Sequence, residues 1–97
     1  MANSDLIGSL VRAMEILKMI GNSPSGCRVE EICAALQLKA PTVYNILRTL
    51  SSEEFVERRN GYFCLGREFR RLAGCMENGL LKDAAETELL ALYQRMP

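Results

Sequence analysis

Lys39-Ala40-Pro41-Thr42-Val43-Tyr44-Asn45-Ile46-Leu47-Arg48-Thr49-Leu50-Ser51-Ser52 places Val43, Ile46, Leu47 and Leu50 at the i, i+3, i+4, i+7 spacing of a helix with one face against a core. At about 100° per residue, the opposite face carries Pro41, Tyr44, Asn45, Arg48 and Ser52, with Thr42 and Thr49 on its flank. That outer face holds no carboxylate. Its side chains donate and accept hydrogen bonds, stack, and carry one planar guanidinium, the groups that meet base edges and phosphates in a DNA major groove. An ordinary amphipathic surface helix has the same periodicity, so the flanking segments must decide between the two readings.

Upstream, Val29, Ile32, Cys33 and Leu36 mark the inner face of a shorter helix over about 29 to 36, with Glu30 and Glu31 where the positive end of the helix dipole favours acids. Arg28 is a poor cap for it. Gln37-Leu38-Lys39 leaves only a short connection to the next helix, as in a helix-turn-helix, and Pro41 is tolerated in a first turn whose amides have no helical partner. Before this pair, Gly21-Asn22-Ser23-Pro24-Ser25-Gly26 is dense in turn formers and reads as a loop. The chain opens with a predicted helix over residues 5 to 21. Leu6, Leu10, Ala13, Met14, Leu17 and Ile20 trace its inner face, and either Ser4-Asp5 or Ser9 supplies its cap.

Downstream the rhythm changes. Phe55-Val56-Glu57-Arg58-Arg59 and Tyr62-Phe63-Cys64-Leu65 flank Asn60-Gly61, a pair suited to a turn in which both positions need positive φ. With Arg59 opposite Tyr62, the residues Val56, Arg58, Phe63 and Leu65 share one face, and Glu57, Arg59, Tyr62 and Cys64 the other. Such a hairpin packs its apolar base on the helices and projects Arg58, Arg59 and Asn60 as a basic wing tip suited to phosphate or minor-groove contact. A plain solubilising turn is the alternative reading. Residues 66 to 97 read as two helices. The first, from Gly66 to Leu72, carries Arg67, Arg70 and Arg71, which face either phosphate or water; Asn78-Gly79 then interrupts, and Leu81, Ala85, Leu89, Leu92 and Met96 stripe a second helix. That stripe needs a cover from its own domain, a second copy, or a following domain.

Taken together, the blocks Ser9-Leu10-Val11-Arg12-Ala13-Met14-Glu15-Ile16-Leu17, Pro41 to Leu50, and Tyr62-Phe63-Cys64-Leu65-Gly66 resemble the amino-terminal domain of IclR-type transcriptional regulators in order and spacing from about residue 7 to residue 74. The resemblance implies a chain that is mainly α with a small antiparallel β-hairpin, a winged helix-turn-helix over 1–75 followed by a linker and dimerisation helix over 76–97. It also implies a sequence-specific regulator that reads a palindromic operator on double-stranded DNA as a homodimer. The inferred DNA contacts are Pro41, Thr42, Tyr44, Asn45, Arg48, Thr49, Arg58, Arg59 and Asn60; Leu81, Ala85, Leu89, Leu92 and Met96 are the dimerisation candidates. Asn45 stands where the family usually has Arg, keeping the ability to pair with adenine, and Pro41 replaces the usual Ser. Arg28 and Gln37 replace the usual helix cap and turn glycine, at roughly 0.5–1 kcal/mol each. A small-molecule effector is implied only if a further C-terminal domain exists, and the chain is then either a natural short form or a piece of a longer one.

Composition bounds the alternatives. Ninety-seven residues, 48% of them hydrophobic, suit one small domain whose function lies on its surface. No run of eighteen apolar residues offers a membrane span, and Met-Ala-Asn-Ser-Asp lacks the regions of a signal peptide, so a cytoplasmic protein is expected, and the resemblance implies a prokaryotic one. The formal charge is zero, but residues 1–75 hold ten Lys/Arg against eight Asp/Glu while residues 76–97 hold two against four. Over a Debye length of about 8 Å, a local basic patch acts despite distant acids. Cys27, Cys33, Cys64 and Cys75 show no C-x-x-C spacing and there is no histidine, so buried free thiols are expected rather than a metal site. With no Gly-rich phosphate loop and no nucleophile beside an identifiable base, neither an enzyme nor a cofactor is expected. The competing class is a winged-helix protein-interaction module without DNA affinity.

Overall fold

The computed structural model of the chain describes residues 5–83. Among them α1 (Gly8–Gly21), α2 (Val29–Leu36), α3 (Ala40–Ser52), β1 (Val56–Arg59), β2 (Tyr62–Leu65) and α4 (Arg67–Asp83) follow in order. This is a winged helix-turn-helix: mainly α, with one small antiparallel hairpin. The α2 bounds are those the sequence predicts, and α3 begins one residue before Pro41. The hairpin pairs Val56 with Leu65, Glu57 with Cys64, Arg58 with Phe63 and Arg59 with Tyr62, the expected register. Asn60 and Gly61 take φ of 52° and 84°, the positive values that a tight hairpin turn demands.

The core draws on every element before α4. Ile16, Leu17 and Ile20 come from α1, Val29 and Ile32 from α2, Val43 and Leu47 from α3, and Val56 and Phe63 from the hairpin. Cys27 joins them because residue 27 extends the sheet: its N–H donates to the Phe63 carbonyl at 2.9 Å and its carbonyl accepts from the Phe63 N–H at 2.7 Å. Gly26 makes that approach possible, since at φ 88° a Cβ there would sit 2.7 Å from the Phe63 oxygen. No polar side chain is buried among the described residues. The wing is therefore anchored by apolar packing at its base, each large side chain contributing about 1.5–3 kcal/mol.

Three expectations fail. The first helix starts at Gly8 behind Ile7, which offers no side-chain cap, and Ser9 lies inside the helix; Ser4 lies outside the described residues. Its exposed first-turn amides can take water instead. Leu6, Leu10 and Met14, placed on the inner face by periodicity, are about half exposed, whereas Ile16 is fully buried. Only the C-terminal half of α1 meets enough of the small domain to be covered. Secondly, α4 is one helix that runs through Asn78 and Gly79 to Asp83, where the sequence suggests a break. Asn and Gly each cost up to about 1 kcal/mol in a helix interior but retain the backbone N–H, so a helix already nucleated upstream continues. Leu81 lies in its last turns; Ala85, Leu89, Leu92 and Met96 lie outside the described residues. Thirdly, of four free thiols expected to be buried, Cys27 alone is; Cys33 and Cys64 are half-buried and Cys75 is exposed.

Gln37 carries a testable strain. It ends α2 in the left-handed region, at φ 55° and ψ 49°, with Leu38 N–H donating to the Cys33 carbonyl at 3.1 Å. A side chain there meets the crowding that glycine escapes. Gln37→Gly is expected to raise unfolding free energy by about 0.5 kcal/mol, after the added flexibility of the unfolded chain is subtracted. Urea titration reads it, and a loss of stability would mean that the Gln37 side chain contributes more than its backbone costs.

Candidate nucleic-acid interface

The N-terminus of α3 is built without an acid. Lys39 is its cap residue, with extended φ and ψ, and Pro41 occupies the first turn. The helix then presents Pro41, Tyr44, Asn45, Arg48, Thr49 and Ser52 to solvent, half-buries Thr42, and buries Val43 and Leu47, the two faces the spacing predicts. The Thr49 hydroxyl donates to the Asn45 carbonyl at 2.9 Å and that of Ser52 to the Thr49 carbonyl at 2.7 Å. Both protons are thus turned back onto the helix, leaving the oxygens as acceptors.

The exposed face is divided between two hollows. On one side Tyr44, Leu47, Arg48 and Ser51 face Arg58 and Phe63 across an open groove between α3 and the hairpin. On the other, Asn45 and Thr49 border a cleft whose far wall is Ser9, Leu10 and Ala13 of α1. Tyr44, Arg48 and Arg58 are therefore brought together, whereas Asn45 and Thr49 are directed toward α1. Arg58 lies over the Phe63 ring, 5.6 Å from its centroid, which steers a flexible guanidinium without neutralising it. Asn60 sits in the exposed turn at the wing tip.

Electrostatics separates the arginines. Among the described residues no carboxylate lies within ion-pair distance of Arg48 or Arg58, so both charges remain available. Arg59 instead pairs with Glu57 on its own strand. The arginines of α4 are all matched: Arg67 with Glu54, Arg71 with Glu68, and Arg70 with Glu57 at 3.6 Å. The hydrogen bond from Arg71 holds the Glu68 carboxyl below its ordinary range despite some desolvation. Between phosphate and water, the α4 cluster takes a third course and faces acids.

Two residues of this surface escape the sequence reading. Ser51 lines the groove seven residues after Tyr44, a helical spacing that could have found it. Arg28 lies over the Tyr62 ring at 5.4 Å, outside the hairpin. Its place depends on the pairing of Cys27 with Phe63, a contact that no local pattern announces. As a cap it is poor: Glu31 accepts from the Arg28 backbone N–H at 2.8 Å, but a guanidinium has no acceptor with which to return the bond.

Residues 9–60 match the model of the IclR helix-turn-helix domain. Among solved structures, the chain is similar to an IclR transcriptional regulator from Alicyclobacillus acidocaldarius (25% identity, 70% of this chain and 28% of that one, TM-score 0.64). It is similar also to the repressor BlcR of Agobacterium tumefaciens (27% identity, 96% of this chain and 37% of that one, TM-score 0.63). Pseudomonas aeruginosa HmgR shares the fold at 23% identity, over 81% of this chain and 36% of that one, with a TM-score of 0.67. This chain thus spans little more than a third of such relatives at most. No curated protein matches it. With the helix pair, the acid-free third helix and the wing all within or beside the matched residues, the chain belongs to the IclR family of transcriptional regulators and carries its helix-turn-helix domain.

Proposed function

We propose that the chain is a sequence-specific transcriptional regulator that reads a palindromic operator as a homodimer, entering the major groove with α3 and touching the flanking backbone with the wing. The observation that carries this reading is the convergence of Tyr44, Arg48 and Arg58 on one open groove with neither guanidinium claimed by an acid. Pro41, Thr42, Asn45 and Thr49 complete the α3 contacts, and Arg59 and Asn60 those of the wing. The apolar residues in and just before the first half of α1 support association with a second copy: Leu6, Ile7, Leu10 and Met14 are each about half exposed or more. Leu81, Ala85, Leu89, Leu92 and Met96 are the other residues proposed for dimerisation. Two copies would set their α3 helices about 34 Å apart to meet successive major grooves. The protein works in a prokaryotic cytoplasm, without a cofactor, and a small-molecule effector enters only where a following domain holds it.

The test is a salt series on duplexes selected from a random pool. Neutralising about five phosphates gives a log-log slope of affinity on salt near −4.5. Light scattering at matched concentration reads the dimer. One observation favours a second reading, a module that docks protein: Arg59, Arg67, Arg70 and Arg71 are all paired with acids, which thins the basic field. A flat salt response and no enriched duplex would select it.

A further inference from the structure

The root of the hairpin and the first turns of α4 are joined at several points. Gly66 N–H donates to the Phe55 carbonyl at 2.8 Å, Glu68 N–H to the Glu54 carbonyl at 2.9 Å, and Phe69 meets Phe55 edge to face with ring centroids 6.1 Å apart. Arg70 adds a donation to the Leu65 carbonyl at 3.1 Å. This docking delivers Arg70 beside Glu57, in the middle of β1. Two residues nearer the tip, on the same face of the strand, Arg59 reaches back to the same carboxylate. Its Oε2 atom is shut off from water and has no hydrogen bond of its own, so the two guanidinium groups hold it by ion-pair proximity alone, although the side chain as a whole is about a third exposed.

We propose that Glu57 is a positioning residue for DNA recognition: one shielded oxygen holds Arg59 of the wing and Arg70 of α4 together, fixing the direction in which the wing arginine meets a phosphate. The inference rests on the DNA reading above. Two guanidinium groups around one carboxylate leave the cluster a net positive charge, and Arg59 keeps donors free for a second acceptor. Without the clamp, a long arginine on a two-stranded ribbon samples many rotamers and must lose that freedom on binding. Because Arg70 belongs to α4, the wing's readiness for DNA then depends on how α4 is seated.

Charge alone predicts the opposite sign. Glu57→Gln removes a negative charge near the DNA and on electrostatics would tighten binding. Under the proposal Glu57→Gln and Arg70→Ala each weaken binding to a selected duplex by about three- to fivefold, the scale of an exposed pair. The double variant is no weaker than the poorer single one, because both break one clamp. Arg71→Ala makes the same charge change as Arg70→Ala but touches only Glu68, and leaves affinity nearly unchanged. Fluorescence anisotropy on the full chain, with circular dichroism to verify folding, reads the four variants beside the unaltered protein. Tighter binding by Glu57→Gln, equal effects of Arg70→Ala and Arg71→Ala, or full additivity in the double variant would each overturn the inference. If the unaltered chain binds no duplex, the DNA reading itself falls and takes this inference with it, a failure visible before any variant is made.

Discussion

Alanine in place of Arg48 is expected to weaken binding to a selected duplex by about 1–3 kcal/mol, roughly five- to 150-fold, with the fold intact. Arg48 is exposed at the centre of the α3 face, borders the groove shared with Arg58, and has no acid partner among the described residues. A guanidinium so placed can take guanine O6 and N7 as a bidentate pair, or a phosphate. The two uses differ in what they leave behind. Loss of a base contact relaxes preference at one base pair; loss of a phosphate contact weakens all sequences alike and flattens the salt slope by about 0.9. Arg48→Lys separates them further, because lysine keeps the charge but not the planar fork. Arg70, already engaged with Glu57 and the Leu65 carbonyl, should show a smaller loss. Equal and negligible effects at Arg48 and Arg70, in folded protein, would mean that another face of the molecule meets the partner.

Legibility in the sequence follows the range of the interactions involved. The bounds of α2, the Asn60-Gly61 turn and the pairing of Arg59 with Tyr62 rest on neighbours within a few residues, and all are readable. So is the two-faced character of α3, because Val43 and Leu47 mark the buried side within two turns. The α1 face misleads because periodicity says which residues lie together, not how far the rest of the molecule extends beneath them. Leu6, Leu10 and Met14 continue the stripe past the edge of the core. The same limit hides the state of the arginines. Arg58 and Arg59 are adjacent and look equivalent, yet the alternation of the strand sets one over Phe63 and the other against Glu57. Arg70 joins Glu57 only after α4 docks on the hairpin root, and Arg28 meets Tyr62 only through the pairing at Cys27. The exposed side of α3 and the wing tip were therefore legible, while the division of their arginines into unpaired and acid-paired ones was not.

The neighbour of Arg48 supplies the complementary test. Leu47 is 1% exposed and belongs to the same core cluster as Val43, Ile16, Val56 and Phe63. Leu47→Ala removes a branched side chain from the join between recognition helix, first helix and wing, and leaves a cavity that close-packed surroundings fill only in part. The expected cost is about 2–5 kcal/mol of unfolding free energy. Single domains commonly have only about 5–15 kcal/mol in total, and one this small belongs near the lower end. The midpoint of thermal unfolding should therefore fall by roughly 8–40 °C, at about 4–8 °C per kcal/mol for a domain of this size. Calorimetry or circular dichroism reads the fall, and binding measured well below the new midpoint should recover much of its strength, since Leu47 itself offers DNA nothing to hold. Arg48→Ala should give the reverse pattern, an unmoved melting point with lost affinity. Two adjacent residues then separate stability from recognition, as they must if the helix is oriented with Leu47 inward. A stable Leu47→Ala protein beside an Arg48→Ala protein that melts early would place the core on the other side of α3, and with it any surface available to a double helix.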